Sequence, residues 1–378
     1  MITPHLHINL FGKSISRFHF YGVSGFILGT VLGLILAQVL HLHLWVVLMM
    51  SGIGAASFVV LTYLSIGLTG RETIVYYHHE ITIVVACAIV LYVLKLPVLP
   101  YLDITIIGIG VFLSLGRWGC FSVGCCHGRP YHKGIAYGQK HVDAGFTWYY
   151  KDIPLLPVQL IESSVVFLIV VTGVVLQLKG SPPGTVLLCY TVVYGCLRYT
   201  IEFLRGDAER PSLFGVSEAQ WTTLALMGIT LVLGFIGWLP LYTAHLVLFI
   251  LVLAVSLFIA LYYRKNEKFR LMSPPHIRQL AEGLGTIGKK DPLSVTDQTP
   301  ALYTTGASLS LSCGQHDVGD VHVNYYTLSL KKGEKMKPAS VRRLAEKIRL
   351  LHGLNTTPDI IEKDNGIYHI IFMNKYIL

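Results

Sequence analysis

The sequence predicts an all-α polytopic membrane protein with seven or eight transmembrane helices, followed by a small C-terminal soluble α+β domain. Of its 378 residues, 53% are hydrophobic and only 13% are charged, whereas an ordinary soluble domain carries roughly 25% charged residues. The charges are also uneven, since residues 1–263 hold 23 of them and the last 115 residues hold 28. These observations exclude a soluble globular enzyme, a disordered chain and a disulfide-rich secreted module.

Eight apolar stretches account for the predicted membrane helices. A bilayer span needs roughly 20 mainly apolar residues. The first stretch follows two basic residues as a signal peptide does, but its apolar run is too long and no small-residue cleavage site follows, so we expect a span. The third and fourth are short and separated by prolines. The eight lie at about 20–40, 44–68, 81–97, 101–118, 158–178, 184–204, 218–238 and 242–263.

The chain divides into three parts on this basis. Residues 1–263 are the predicted membrane domain, and residues 264–300 are a predicted basic linker that contains two consecutive prolines and several glycines. Residues 301–378 are the predicted soluble domain. Within it, 319–330 alternate like a strand, 338–352 have the spacing of an amphipathic helix, and 367–377 again predict a strand.

Three charged residues occur where the sixth span ends. Arg198, Glu202 and Arg205 have the spacing i, i+4, i+7, which predicts that all three share one helix face. An ion at the centre of a bilayer costs about 2.5–3.5 kcal/mol on insertion scales, so such residues are expected to face the bundle interior. They form either a salt-bridge ladder between helices or a site for an anion, in which Glu202 orients two guanidinium groups.

Other polar residues at span ends have two interpretations each. Arg117 is either an interfacial arginine that reaches the headgroups or part of a site. Gln159 and Glu162 open the fifth span, where a carboxylate serves either as a helix cap or as a site residue. His78 opens the third span, as a headgroup-boundary residue or a general base. Tyr21 by itself is an aromatic-belt residue.

The cysteines near residue 120 suggest metal binding only weakly. Cys120, Cys125 and Cys126 precede a histidine, but this spacing does not match the paired C-x2-C of zinc sites. Adjacent cysteines are also rarely two structural ligands. Cys189 and Cys196 are two helical turns apart, roughly 10 Å along the axis, and therefore cannot form a disulfide with each other.

Taken together, these motifs resemble the bacterial prolipoprotein diacylglyceryl transferases over about residues 5–238. The family's Gly-Arg-x-Gly-Asn-Phe-x-x-Gly is similar to 116–124, with Cys120 in place of the asparagine. The other family motifs have similar segments here, at 21–22, 156–162, 198–205 and 217–220. The sequence departs from the family pattern at Cys125, which stands in place of a glutamate, and at His79 and Glu80, which stand in place of two glycines.

The resemblance implies a multi-pass enzyme of the bacterial cytoplasmic (inner) membrane. It would transfer a diacylglyceryl group from phosphatidylglycerol to the lipobox cysteine of a prolipoprotein, forming a thioether, and its partners would be that lipid, the lipobox peptide and the membrane. Neither a metal nor an organic cofactor is implied, and no motif suggests nucleic acid. The implied catalytic residues are His78, Arg117 and Arg198; the implied substrate-binding residues are Tyr21, Cys120, Gly128, Gln159, Glu162, Glu202 and Arg205.

Two questions stay open at this point. The function could instead be that of a related membrane transferase with the same donor and another acceptor, or of a non-catalytic phospholipid-binding protein on the same scaffold. The side of the membrane is also open. The loops that share a side with residues 119–156 carry most of the Lys and Arg, which the positive-inside rule places in the cytoplasm; the resemblance places the loop outside.

Overall fold

The computed structural model describes residues 4–10, 12–70, 75–207, 212–263, 271, 274–287, 303–304, 309–318, 321–330, 335–363 and 366–375. A hairpin of β1 (His7–Leu10) and β2 (Lys13–Ser16) precedes the helices. Every predicted span is a helix within about five residues of its expected ends. The eight are α1 (Arg17–Val39), α2 (Leu44–Thr69), α3 (Tyr76–Val93), α4 (Val98–Val123), α6 (Val158–Leu178), α7 (Thr185–Glu202), α8 (Glu218–Phe235) and α9 (Thr243–Tyr263).

Six of these helices are long and apolar enough to cross a membrane, namely α1, α2, α3, α4, α6 and α9. The other two, α7 and α8, have 18 residues each. Arg198 and Glu202 in α7, and Glu218 and Gln220 in α8, lower the mean hydropathy of these helices. The described residues therefore confirm eight helices in the predicted places, and crossing by α7 and α8 stays a prediction.

Helix α4 lies at the centre of the membrane domain, and α1 packs closely against it. The contact face of α1 carries three buried glycines at four-residue spacing, Gly25, Gly29 and Gly33. A Cβ added to Gly29 would lie 2.7 Å from the carbonyl oxygen of Gly108 in α4. Small residues at this spacing let two helix backbones approach in a membrane, where packing rather than the hydrophobic effect drives association.

Asp103 in α4 fixes the start of α7. Its carboxylate accepts hydrogen bonds from the backbone N–H of Gly184 at 2.7 Å and of Leu187 at 2.8 Å. A helix N-terminus has N–H groups without intrahelical partners, and the positive end of the helix dipole also favours a carboxylate there. This buried aspartate therefore sets the position of α7, which carries Arg198, relative to α4, which carries Arg117.

A long connection joins α4 to α6. It contains β3 (Pro130–Ile135), the five-residue helix α5 (Gln139–Asp143) and a short 3-10 helix, Trp148–Tyr150. We call residues 124–157 the site loop. Short strands β4 (Ser212–Leu213) and β5 (Val216–Ser217) form a hairpin before α8. Ser217 and Gln220 form a capping box at the start of α8. These two residues belong to segment 217–220, one of the segments that resemble the family motifs.

The C-terminal domain is α+β, as predicted. Its elements are β6 (Tyr303–Thr304), β7 (Leu309–Val318), β8 (Val321–Leu330), α11 (Pro338–Leu351), β9 (Asp359–Lys363) and β10 (Ile367–Lys375). The antiparallel sheet has the strand order β6-β7-β8-β10-β9. Buried side chains of β8, β10 and helix α11 share one core, with Leu328, Ile370, Leu344 and Ile348 all fully buried.

The predicted linker over 264–300 contains a helix in its middle part. Residues Pro274–Ile287 form an amphipathic helix, α10. Ile277, Leu280, Ala281 and Leu284 have the spacing of one helix face and are all buried. The two prolines do not prevent the helix, since Pro is tolerated in a first turn, where the N–H groups lack partners in any case. Residues 264–270, 272–273 and 288–300 lie outside the described residues.

Candidate active site

Arg117 lies in the last two turns of α4 and forms a buried ion pair with Glu162 of α6. The Nη2 atom of Arg117 donates to Oε1 of Glu162 at 2.9 Å, and Nε lies 2.9 Å from Oε2. The two residues are 5% and 2% exposed. Arg117 is thus not an interfacial arginine reaching the headgroups, and Glu162 is not a helix cap. Tyr194 of α7 also donates to Glu162 Oε1, at 3.0 Å.

Arg198 and Glu202 form a second pair on α7, with Arg198 Nη1 2.6 Å from Glu202 Oε2. Arg198 is almost fully buried and lies one turn from Tyr194 on the same helix. Tyr194 is within electrostatic reach of both Arg117 and Arg198. The two arginines that the resemblance implies to be catalytic are therefore brought to the same region of the bundle, where both lie within electrostatic reach of one tyrosine.

The expectation that Arg205 shares a helix face with Arg198 and Glu202 is wrong, because α7 ends at Glu202. Arg205 lies in the turn that follows and pairs with Asp207 through Nε and Nη2. Burial opposes the charge of Arg205, but the carboxylate of Asp207, together with Cys126 and Glu202, outweighs burial and holds the pKa of this guanidinium well above its ordinary value. Asp207 therefore orients Arg205, whereas Glu202 pairs with Arg198.

Backbone hydrogen bonds attach this turn to the site loop. The N–H of Arg129 donates to Leu204 O at 2.9 Å, and the N–H of Gly206 donates to His127 O at 3.0 Å. On its other side, the N–H of Gly128 donates to Leu156 O at 2.8 Å. Gly128 thus lies between two backbone segments, which explains why a residue without Cβ occurs here. Its expected role in substrate binding rests on the resemblance.

The site contains buried N–H groups with no acceptor in the described part of the chain. They include Nη2 of Arg198 and Nη1 of Arg205. A buried donor without an acceptor costs about 1–3 kcal/mol, and more when the group is charged. An anionic oxygen would satisfy such donors, and guanidinium groups suit phosphate in particular because they donate two parallel bonds.

Three cysteines lie beside these arginines. The Sγ atoms of Cys120, Cys125 and Cys126 are all within 4.8 Å of one another, although their sequence spacing did not match a common metal pattern. The thiols of Cys120 and Cys125 lie within hydrogen-bonding reach of the Cys126 sulfur. Together with the charges of Arg205 and Arg117, they hold the pKa of Cys126 well below its ordinary value despite burial.

Gln159 holds the chain next to this cysteine cluster. Gln159 lies in the first turn of α6 and is 1% exposed, and its Nε2 donates to the backbone oxygen of Cys125 at 2.8 Å. It therefore joins α6 to the beginning of the site loop, one turn from Glu162. Of the residues predicted to bind substrate, Gln159, Glu162 and Cys120 are thus brought into the neighbourhood of Arg117.

His78 lies apart from these contacts. It is in the first turn of α3, and its Nε2 is 3.1 Å from Glu218 Oε1 at the start of α8. Both side chains are accessible, with exposed fractions of 57% and 36%. Within the described residues, no hydrogen bond or ion pair joins His78 to the Arg117–Glu162 pair. Tyr21 faces α4, where its ring centroid is 6.3 Å from that of Trp118, the residue after Arg117.

Sequence reasoning missed two residues that the geometry places in the site. Tyr194 contacts Glu162, and Asp207 contacts Arg205. Tyr194 is one turn before Arg198 on α7, so a search for polar residues at i−4 from each buried charge would have found it. Asp207 follows Arg205 by two residues. The two side chains can pair because α7 ends at Glu202 and both residues lie in the turn that follows it.

The chain is similar to known proteins of one family. A family model described as prolipoprotein diacylglyceryl transferase matches residues 7–236. A protein of Clostridium tetani named phosphatidylglycerol–prolipoprotein diacylglyceryl transferase is 32% identical over 127 residues, which is 34% of this chain and 49% of that protein. One of Clostridium perfringens, named phosphatidylglycerol–prolipoprotein diacylglyceryl transferase 2, is 26% identical over 136 residues, which is 35% of this chain and 50% of that protein.

The chain thus spans about half the length of each curated relative that it matches. The family match is longer and covers well over half of the chain, from β1 to the end of α8. It includes all the arginines and carboxylates described above, whereas α9 and the C-terminal domain lie beyond it. With its six apolar helices, the chain is a multi-pass membrane protein, and it belongs to the prolipoprotein diacylglyceryl transferase family.

Proposed function

We propose that this protein transfers a diacylglyceryl group from phosphatidylglycerol to the cysteine thiol of a prolipoprotein lipobox. In this reaction the acceptor thiolate attacks the glycerol carbon that carries the phosphate. A C–S thioether bond forms, the C–O bond to the phosphate breaks, and glycerol phosphate leaves with the bonding electrons. The observation that carries the proposal is the group of buried arginines in the part of the chain that matches the family.

The arginines would stabilise the departing phosphate. Arg117 and Arg198 would contact the phosphodiester, and Arg205 would contribute from the turn after α7. Negative charge grows on the phosphate oxygens as the C–O bond breaks, and preorganised positive charge is usually the largest contribution to catalysis of this kind. The buried N–H groups of Arg198 and Arg205 that lack acceptors support this role.

The carboxylates would hold the guanidinium groups in place. Glu162 and Glu202 are assigned to the substrate-binding site because each is within 3 Å of an arginine nitrogen. Such pairing fixes the planar fork of the arginine before the substrate arrives. Gln159, Cys120 and Gly128 would shape the wall formed by the start of the site loop, and Tyr21 would face the lipid headgroup from α1.

His78 is proposed as the base that takes the proton of the acceptor thiol. A cysteine thiol is mostly protonated at neutral pH, so the attack requires a base. Glu218 supports this assignment, because a carboxylate next to one ring nitrogen fixes the orientation of the imidazole. The accessible position of the pair suits an acceptor that arrives as a peptide.

The substrates also determine where the protein would work. The donor is a membrane phospholipid and the acceptor is an exported protein precursor, so we place the chain in the bacterial cytoplasmic (inner) membrane. No nucleic acid is expected as a partner. The region that matches the family contains every residue assigned above, so the proposal does not depend on the C-terminal domain.

The test is incubation of the purified full-length protein with labelled phosphatidylglycerol and a lipobox peptide. We expect a thioether-linked peptide and one glycerol phosphate for each thioether formed. The variants Arg117→Ala and His78→Ala should both abolish or strongly reduce product. A peptide with serine in place of the lipobox cysteine is the matched control, and it should give no product.

Two outcomes would contradict the proposal. Glycerol phosphate released only with other acceptors would indicate a related transferase with a different acceptor. Lipid that binds but is never consumed would indicate a non-catalytic phospholipid-binding protein. If transfer occurs and His78→Ala retains full activity, the transferase proposal stands and the assignment of the base is wrong.

A further inference from the structure

The three cysteines at the end of α4 are brought together by an unusual path of the chain. Helix α4 is followed directly by Gly124, which has a positive φ of 81°, and Cys126 also has a left-handed backbone, with φ 57°. A non-glycine residue in this region is uncommon. The chain therefore turns back over the helix end, and the adjacent side chains of Cys125 and Cys126 both approach Cys120.

This arrangement is also held from outside the cluster. The amide of Gln159 fixes the backbone oxygen of Cys125 at 2.8 Å. The backbone oxygen of His127 accepts from the N–H of Gly206 at 3.0 Å, so the residue after Cys126 is attached to the turn that carries Arg205. Two separate elements thus fix the loop in which the sulfurs converge.

The sulfur positions are close to those that a tetrahedral metal ion requires. A Zn–S bond is about 2.3 Å, so two sulfurs on one tetrahedral ion lie roughly 3.8 Å apart. The three Sγ atoms are within 4.8 Å of one another, and a contraction of about 1 Å through side-chain rotation would complete the geometry. A disulfide, by contrast, needs two sulfurs at about 2.05 Å and leaves the third unused.

We propose that Cys120, Cys125 and Cys126 bind one thiophilic divalent cation of the Zn²⁺ class through three thiolates. Each thiol releases its proton to solvent when its sulfur binds the ion. In the described part of the chain no fourth His, Cys, Asp or Glu joins this cluster, so a non-protein ligand takes the fourth position. Three protein ligands with one open position are typical of metal sites that accept an exogenous ligand.

The charges around the cluster favour a thiolate-bound ion. Three thiolates and one divalent cation have a net charge of −1, which Arg117 and Arg205 oppose. Both guanidinium groups are within electrostatic reach of Cys126, and Nη1 of Arg205 is a buried donor without a partner in the described residues. Sulfur bound to a metal is a hydrogen-bond acceptor, so the same arginines would stabilise the loaded site.

Access is also favourable. Cys125 is exposed, whereas Cys120 and Cys126 are half-buried. An ion can therefore bind the outer thiol first and then be enclosed. This inference rests on the geometry and charges of the cysteine cluster and stands whether or not the proposed transferase activity is found.

The experiment uses the full-length protein in detergent, reduced and treated with a chelator. It is titrated with Cd²⁺ as a spectroscopic substitute for Zn²⁺, and thiolate-to-metal absorbance is recorded; alkylation with mass spectrometry then identifies the protected cysteines. We expect one equivalent of ion per chain, with Cys120, Cys125 and Cys126 protected. Cys125→Ser should weaken binding by roughly tenfold or more, and because Cys125 is exposed this change should leave folding intact.

Cys189→Ser is the matched control, since Cys189 is a half-buried cysteine on α7 away from the cluster, and it should bind Cd²⁺ as the unmodified protein does. The proposal fails if Cys125→Ser binds as tightly as the control, or if the fully reduced protein takes up no ion. Alkylation of Cys120, Cys125 and Cys126 that is unchanged by Cd²⁺ would also overturn it.

Discussion

Arg117 and Glu162 show why the charges of the site are sensitive to small changes. Both side chains are nearly fully buried, and the pair has the side-on geometry in which two guanidinium nitrogens face two carboxylate oxygens. Breaking such a pair leaves one uncompensated buried charge, whereas an exposed pair such as His78–Glu218 stays hydrated. The same substitution should therefore have different consequences at Glu162 and at Glu218.

We predict that Glu162→Gln lowers the free energy of unfolding by about 3–5 kcal/mol, because Arg117 then lacks its counterion. Thermal unfolding of the full-length protein in detergent measures this. Glu218→Gln is the matched control and should change the midpoint little. Equal losses at the two positions would mean that the buried pair is not the source of the effect.

A second prediction concerns the fork of Arg117 rather than its charge. Arg117→Lys keeps the positive charge but loses the planar pair of donors, so it should lower the proposed transfer by roughly a hundredfold. The measurement is the rate of thioether formation with the labelled lipid. Because lysine still opposes Glu162, thermal stability should fall far less than in Glu162→Gln. Unchanged transfer would show that only charge is needed at this position.

At the scale of residues, the sequence predicted which side chains matter better than it predicted their partners. The low charge content of the spans singled out Arg117, Glu162, Arg198 and Glu202, and all but Glu202 are nearly fully buried. The partners depend on how helices pack, which periodicity does not encode. The pairing of Arg205 with Asp207 was missed because it requires α7 to end three residues before Arg205.

At the scale of elements, three backbone segments are joined where the site loop meets the turn after α7. Gly128 is in the middle segment. A Cβ at this position would lie 2.6 Å from the carbonyl oxygen of Leu156 and 3.0 Å from that of Leu204. Since both neighbours are backbone atoms, neither can rotate away, and the segments would have to separate.

We therefore predict that Gly128→Ala destabilises the protein by about 1–3 kcal/mol and reduces transfer, because it displaces the turn that carries Arg205. Thermal unfolding and the transfer assay measure the two effects. Gly52→Ala in α2 is the control, since a Cβ there meets nothing within 4 Å, and it should be neutral or slightly stabilising. A Gly128→Ala protein as stable as the control would mean that the loop adjusts without strain.

The spans were predictable because roughly 20 apolar residues in a row leave few alternatives, and every predicted stretch is a helix. Helix α10 was not predictable in the same way. Its apolar face is short, it begins with two prolines and it contains glycines, all of which are typical of a linker. What makes it a helix is the packing of Leu280 and Leu284 into the C-terminal core, and this tertiary contribution outweighs local propensity.

At the scale of the whole molecule, the C-terminal domain packs against the site loop. Tyr137, Tyr150 and Leu155 of the loop belong to the same buried cluster as Leu280 and Leu344 of the domain. The domain therefore lies on the side of the membrane where the site loop lies.

Lys347 of α11 provides a specific contact between the two, since its Nζ donates to the backbone oxygen of Pro130 at 3.2 Å. Burial, with a smaller effect of Arg129, lowers the pKa of Lys347. Lys347→Met should remove about 1 kcal/mol of hydrogen-bond stabilisation and so raise amide exchange in residues 130–135 by roughly fivefold. Hydrogen–deuterium exchange with mass spectrometry measures this.

The control for that change is Lys335→Met. The Nζ atom of Lys335 lies 3.9 Å from Oε1 of Glu362 within the C-terminal domain, and both side chains are exposed. Exchange in residues 130–135 should be the same as in the unmodified protein. If both variants raise exchange equally, the contact of Lys347 with Pro130 does not hold the loop.

The attachment of α10 should depend on pH. His276 is 4% exposed, its Nδ1 donates to the backbone oxygen of Leu271 at 2.8 Å, and its Nε2 is buried without a partner in the described residues. Burial lowers the pKa of His276, and burial also lowers that of His352, whose Nε2 is 3.4 Å from Leu284 O at the other end of α10.

The folded state therefore binds a proton at these histidines less readily than the unfolded state does. The stability that the neutral histidines contribute is present at neutral pH, and it is lost as the pH falls below about 6.5, the ordinary pKa of histidine. We predict that exchange protection in residues 274–287, corrected for intrinsic rates, falls between pH 7.5 and pH 5.5. His276→Gln should lessen this dependence because glutamine does not titrate. His369→Gln, on the opposite face of the sheet beside Thr327, should retain it; an equal loss in both variants would exclude His276 as the source.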